Sequence, residues 1–315
     1  MTPFRKISCG LELPPGAPGD ALSSTSAAAL ATASRIARDD RASLHIVTAL
    51  DLDEAAIALL GREQAAGRST AADHARTRLD RLAAAPRAAG VETTIQVARS
   101  APADALLADA ASAGRDLIVV GTRERGAFAR NLLGSTALTL LRRAPQTVWV
   151  ARSPFGEKAP VVLCTIEPGD MAPRILATAA GVAARAGGTL HVLYVVDLAA
   201  ADVLRAGAAD EAYIREVRRK KRAAAEADVP ALVAKTLGPA AQATIHLPDG
   251  DVAATILKTA ADLRADVVVL GSVVHSLARA LFSGLGRTAE AVLPQIQASL
   301  VVVKPAAEQG TKPAK

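Results

Sequence analysis

Asp116-Leu117-Ile118-Val119-Val120-Gly121-Thr122 and Asp266-Val267-Val268-Val269-Leu270-Gly271-Ser272 are one pattern written twice: an acidic residue, a short apolar run, then glycine and a hydroxyl residue. A short apolar run closed by such a turn reads as a buried parallel strand. It delivers its chain to a backbone site at the carboxyl end, where open α/β sheets bind ligands.

The duplication extends outward from these anchors. Leu44-His45-Ile46-Val47 corresponds to Leu190-His191-Val192-Leu193, offset by 146 residues, and Cys9-Gly10-Leu11-Glu12 to Cys164-Thr165-Ile166-Glu167, offset by 155. The anchor glycines are offset by 150. Order and residue type persist while the offset drifts, as loop insertions in a duplicated domain would cause. Two copies of one fold follow, each of a usual domain size.

Composition bounds the class. The 315 residues are 50% hydrophobic and 22% charged, too apolar for disorder and enough for two cores. No apolar run approaches the ~20 residues of a membrane span. Met1-Thr2-Pro3-Phe4-Arg5-Lys6 leads into a strand and not into a secretory leader, so a soluble cytoplasmic protein is expected. Cys9 and Cys164, each three residues before a Glu, are expected as buried free thiols in different sheets. The net charge of +6 hints at an acidic partner, but much of it sits in Arg215-Glu216-Val217-Arg218-Arg219-Lys220-Lys221-Arg222. On a helix these charges spread around most of the circumference, which reads as a solvated surface. Aromatic residues make up 2% of the chain, which argues against platforms for single-stranded nucleic acid. Neither nucleic acid nor a membrane is an expected partner.

Read in order, the chain alternates strand and helix. Phe4–Glu12 is the first strand, and a Pro- and Gly-rich loop leads to a helix through Ala27, Leu30, Ala33 and Ile36, capped by Asp20 or Ser23. Leu44–Leu50 is a strand, and Ala55–Ala85 one or two helices that Gly61 and Gly67 can interrupt. Val91–Val97, Leu117–Val120 and Thr147–Val150 are strands, separated by helices over Ala103–Ala113 and Thr136–Arg143. After a linker over 153–160 the second copy repeats the order. Its strands are Val161–Glu167, Thr189–Val196, Thr244–Leu247, Val267–Leu270 and Leu300–Val303, with a helical insert about Asp210–Leu237. Its other helices are Arg174–Ala186, Val252–Leu263 and Thr288–Pro294. The alternation specifies an α/β fold: two tandem open, doubly wound five-stranded parallel sheets flanked by helices, over 1–152 and 161–304. Residues 305–315 read as a disordered tail.

The loop after Gly121 ends in Leu132-Leu133-Gly134-Ser135-Thr136. Gly134-Ser135 at a helix start can offer backbone N–H groups and a hydroxyl to an anion, and Gly121 lets the opposite wall approach closely. A tight turn with a capping Ser explains the same residues. Other chemistry is thin. His45 and His191 are repeat-equivalent strand residues, read as core or strand-edge side chains. His74, His246 and His275 lack the Cys or carboxylate spacing of a metal site. No nucleophile elbow or P-loop is present, so an enzyme is not indicated.

The whole pattern resembles the universal stress protein family, whose nucleotide-binding members carry Gly-x-x-Gly, nine residues, then Gly-Ser/Thr after a strand such as Asp-Leu-Ile-Val-Val-Gly. Gly121 and Gly134-Ser135 take the outer positions and Glu124 the middle one; Leu140-Leu141-Arg142-Arg143-Ala144-Pro145 and Val148-Trp149-Val150 also match. In the second copy the middle position is Val274. Gly286 is the last motif glycine after a two-residue insertion, and Arg287 replaces Ser before Thr288. Two copies in one chain are similar to the tandem members, and the resemblance implies their adenine-nucleotide α-hydrolase-like fold. It implies ATP with magnesium as the ligand, held in the first copy by Glu12, Gly121, Thr122, Arg123, Gly126, Gly134, Ser135 and Thr136. A weaker second site would use Glu167, Gly271, Ser272, Gly284, Gly286, Arg287 and Thr288. Family members place Asp where Glu12 and Glu167 stand, near the adenine. The implied function is a stress-response binding or regulatory module with an unidentified protein partner. The alternatives are a nucleotide-free partner-binding protein and a slow ATPase or adenylating enzyme. The resemblance also implies an intrachain pseudo-dimer pairing the strands Thr147–Val150 and Leu300–Val303, and leaves a homodimer open.

Overall fold

The computed structural model describes the chain except residues 1–2, 15–19, 52–55, 57, 59–60, 63–64, 67–68, 123–132, 197–209, 273–286 and 306–315. It divides into two compact units, one built on Pro3–Phe155 and the other on Gly156–Val303.

The first unit runs β1 (Lys6–Gly10), α1 (Ser24–Asp40), β2 (Ser43–Ala49), α2 (Ala71–Ala88), β3 (Thr93–Ala98), α3 (Pro102–Ser112), β4 (Leu117–Gly121), α4 (Ser135–Arg143) and β5 (Thr147–Ala151). All its strands pair in parallel, in the order β3-β2-β1-β4-β5. The second unit runs β6 (Val161–Thr165), α5 (Ala172–Arg185), β7 (Thr189–Leu193), α6 (Glu211–Leu237), β8 (Ala243–His246), α7 (Val252–Asp262), β9 (Val267–Gly271), α8 (Arg287–Val292) and β10 (Ser299–Val303). Its order is β8-β7-β6-β9-β10, again parallel throughout. Each unit thus has the expected doubly wound arrangement of five parallel strands.

Local chemistry sets the elements. The β4 and β9 runs are buried from their first residue to the one before glycine, as a strand covered on both faces must be. Ser23 caps α1 by accepting from the N–H of Ser26, and the left-handed Arg41, φ 56°, ends it. Helix α2 opens on a capping box in which the Thr70 hydroxyl and the Asp73 carboxylate each accept from the other's backbone N–H. Much of the segment before Thr70, including Gly67, lies outside the described residues; α2 itself passes through Pro86 and ends three residues beyond the expected Ala85.

Three strands are shorter than their apolar character suggested. The ladder of β1 stops at Gly10, that of β6 at Thr165 and that of β7 at Leu193, which leaves Glu12 and Glu167 two residues past their strands. Beyond Leu193, Val196 joins Asp249 only through an isolated bridge. Apolar side chains there pack without a strand, since Tyr194 and Val196 cluster with Ile214 and Ala225 of the helical insert α6.

The basic run lies on that helix, which buries Ile214, Ala225, Val229 and Val233. Arg219 pairs with Glu216 at 2.8 Å, and Arg222 with Glu226 at 3.1 Å and with Asp249 at 2.9 Å. That is the solvated face expected. Cys9 and Cys164 are free, fully buried and in separate units, on β1 and β6, and burial pushes both thiols far above their ordinary range. Among the described residues no helix is long and apolar enough to cross a membrane.

Candidate functional site

In the first sheet β1 turns outward through α1 to β2, while β4 turns the other way to β5. The carboxyl ends of β1 and β4 therefore face a crevice at the point where the strand order reverses.

The start of α1 forms one wall. A Cβ added to Gly121 would lie 2.5 Å from the carbonyl oxygen of Thr25 and 3.1 Å from its Cβ, so only glycine lets the helix begin this close to β4. The Thr25 hydroxyl donates to the Thr122 carbonyl at 2.7 Å, tying the first turn of α1 to the residue after the strand. Ser26 holds the chain just past β1, for its Oγ accepts from the Glu12 N–H at 3.3 Å and donates to the Glu12 carbonyl at 3.4 Å. With its backbone held, Glu12 exposes its side chain, and among the described residues no hydrogen bond or ion pair engages its carboxylate.

Helix α4 forms the other wall. Its N-cap is Gly134, extended at φ −65°, ψ 155°, with no side-chain hydrogen bond to the first turn. Ser135 is exposed and already inside the helix, with Thr136 after it, so Ser135 is not a cap. The tight turn with a capping Ser is thereby corrected: a hydroxyl at the first helical position cannot reach the N–H groups that an N-cap side chain satisfies. Among the described residues nothing accepts from those donors. The remaining first-copy residues, Arg123 and Gly126 together with Glu124, lie outside the described residues.

The second unit repeats the strand ends without their furniture. Met171 precedes α5 with no side-chain cap, and the run Pro168-Gly169-Asp170-Met171 carries no hydroxyl comparable to Thr25 or Ser26. Ser272 is 6% exposed, and its N–H continues the ladder to the Val303 carbonyl at 3.0 Å, so that donor is spent within the sheet. Glu167 is exposed and Gly271 ends β9. Gly284, Gly286 and Val274 lie outside the described residues, as do the side chains of Arg287 and Thr288, which open the six-residue α8.

Sequence reasoning assigned no role to Thr25 and Ser26. Their signal was present in Ser23-Ser24-Thr25-Ser26, a hydroxyl run at a helix start, of which only the capping Ser23 was read. His45 is the strand-edge residue expected, with Nδ1 2.7 Å from Thr94 Oγ1 and Nε2 3.1 Å from Gln96 Oε1. Beside it the buried Asp109 takes a two-pronged ion pair from Arg115 at 3.0 and 3.1 Å.

The model of the universal stress protein family matches residues 18–152 and 160–304. Among solved structures, the chain is similar to a functionally unknown protein from Pseudomonas aeruginosa PAO1. Identity there is 22% over 96% of this chain and 93% of that one, with a TM-score of 0.64. It is also similar to a universal stress protein from Archaeoglobus fulgidus DSM 4304, at 17% identity over 95% of this chain and 98% of that one, with a TM-score of 0.67. At these identities the likeness is one of fold. No curated protein matches the sequence.

Proposed function

We propose, from the premise that the chain belongs to the universal stress protein family, that its first unit is a binding and regulatory module for an adenine nucleotide carried with magnesium. The observation that supports this reading most is the start of α4, where Gly134 leaves the first-turn N–H groups uncapped beside the crevice of the sheet. A helix N-terminus with free donors attracts a polyphosphate through both hydrogen bonds and the helix dipole. Gly134, Ser135 and Thr136 then hold phosphate, and Gly121 and Thr122 form the floor. The free Glu12 carboxylate accepts from the adenine amine. Among the described residues no nucleophile is hydrogen-bonded to a general base at this crevice, so on this reading the module binds nucleotide and signals to a protein partner without turning it over.

A nucleotide-free reading has its own support in Gly121, which the close approach of Thr25 explains without any ligand. Calorimetry with ATP and magnesium on the full chain and on Gly134→Val separates the two. Binding by the natural chain that the variant loses supports the nucleotide module. No binding by the natural chain, or equal binding by both, overturns it.

A further inference from the structure

Strands β7 and β8 carry two imidazoles that lie outside the nucleotide crevice. His191 stands opposite Thr244, and His246 follows two residues along β8, so the pleat puts both rings on one face. His191 Nδ1 and His246 Nε2 are 3.0 Å apart, with ring centroids 5.2 Å apart and planes inclined by 22°. Among the described residues no other hydrogen bond or ion pair engages either ring.

The first unit shows the same place built for structure alone. By strand register Gln96 corresponds to His246, and His45 to His191. His45 has an oxygen partner for each nitrogen, Thr94 Oγ1 and Gln96 Oε1, and its Nε2 also lies 3.6 Å from Asp109. In the second unit an imidazole replaces the amide, and Thr259 occupies the helix position of Asp109. An amide oxygen facing an imidazole makes a hydrogen bond. Two facing imidazoles share an N–H···N hydrogen bond, and each also has a lone pair to offer an ion once that proton moves to its ring's outer nitrogen.

Distance selects the kind of ion. With metal–nitrogen bonds of about 2.1 Å, two ligands at a right angle place their nitrogens about 3.0 Å apart, and a tetrahedral pair about 3.4 Å. The observed spacing fits the right angle of a tetragonal centre, the geometry of copper(II) and nickel(II). We propose that His191 Nδ1 and His246 Nε2 chelate a tetragonal divalent transition-metal ion, copper(II) most tightly, with water filling the remaining positions.

The proton balance closes. One proton lies between the two nitrogens in the metal-free pair; on chelation it moves to the outer nitrogen of its own ring. Both imidazoles stay neutral and no proton is released. Among the described residues no group of three or more His, Cys, Asp and Glu side chains forms a metal site, so the protein contributes these two ligands.

The test is calorimetric titration of the metal-free full chain with copper(II), nickel(II) and zinc(II), with nitrogen hyperfine structure read by electron paramagnetic resonance for copper. His246→Gln keeps a hydrogen-bonding partner for His191, as Gln96 does for His45, so the fold is retained. It should weaken copper by at least the tenfold that loss of even an outer-shell partner costs, and should remove the two-nitrogen signature. His74→Gln, at an exposed site on α2, should change nothing, and zinc should bind more weakly than copper. No copper binding by the natural chain, unchanged affinity in His246→Gln, or an equal loss in His74→Gln overturns the proposal.

Discussion

At Gly121 a hydrogen stands where any other residue would place a Cβ 2.5 Å from a backbone oxygen of α1. That oxygen belongs to the first turn of a helix, so relief requires moving the helix. Gly121→Ala should therefore destabilise the first unit by about 1–3 kcal/mol, the usual cost of overpacking, whether or not nucleotide is present. Urea denaturation without ligand measures it, and an unchanged midpoint would refute the account. Asp109 is a second decisive residue. It is 8% exposed and holds the Arg115 guanidinium by two hydrogen bonds, so Asp109→Ala would leave a largely buried cation without its partner. A loss of about 3–5 kcal/mol is expected in the same experiment. Glu124 follows β4 in sequence at the middle motif position, where the family's nucleotide-binding pattern has glycine. A carboxylate facing a triphosphate costs about 1 kcal/mol or more per close charge pair, so Glu124→Gly should tighten ATP roughly fivefold or more by calorimetry. Equal affinity would place that side chain away from the phosphates.

Helix α2 and strand β7 show what elements add. The α2 start rests on Thr70, whose hydroxyl accepts from Asp73 N–H while the Asp73 carboxylate accepts from Thr70 N–H. Thr70→Ala removes one half of this exchange and should cost about 1 kcal/mol, read from the thermal unfolding midpoint. On β7, burial and then the neighbouring imidazole lower the pKa of His191, so the folded unit resists taking up that proton. The unfolded chain binds it near pH 6.5. Stability from this group is thus complete above about pH 6.5 and declines as the pH falls below it. Asp116 works in the opposite sense at lower pH, because burial raises its pKa and the folded state takes up a proton more readily than the unfolded chain. Urea midpoints at pH 7.5 and 5.5 in metal-free buffer should show a loss that shrinks in His191→Gln. An identical loss in that variant would assign the slope to other groups.

Across the whole chain the two copies share strand order and register but not the dressing of the strand ends. The first unit brings hydroxyls to both β1 and β4 from α1 and leaves α4 uncapped; the second starts α5 without such residues and spends the Ser272 N–H inside its sheet. The second copy also carries Val274 and Arg287 at motif positions and a two-residue insertion. We therefore expect calorimetry to find one weakly bound ATP per chain, in the first unit, removed by Gly134→Val. Two equal sites, or a single site insensitive to that variant, would reverse the assignment of the functional copy.

The sequence alone determined the architecture, because parallel buried strands announce themselves as uniform β-branched runs and the duplication repeats them at nearly constant spacing. Element order, the parallel sense of the strands and the burial of Cys9 and Cys164 followed from local pattern, as did the capping role open to Ser23. Strand ends were less legible, since Tyr194 and Val196 bond the chain at and beyond the end of β8 outside any regular ladder while their side chains pack against α6. Only the tertiary structure decided what meets at the crevice. Thr25 and Thr122 are 97 residues apart, and nothing in either short segment says that one hydroxyl ends on the other's carbonyl. The same holds for His191 and His246, 55 residues apart, whose spacing matches no ligand motif until two parallel strands bring their nitrogens within 3.0 Å. Pattern along a chain encodes which face is buried; contact between faces depends on register and crossover, which are properties of the folded sheet.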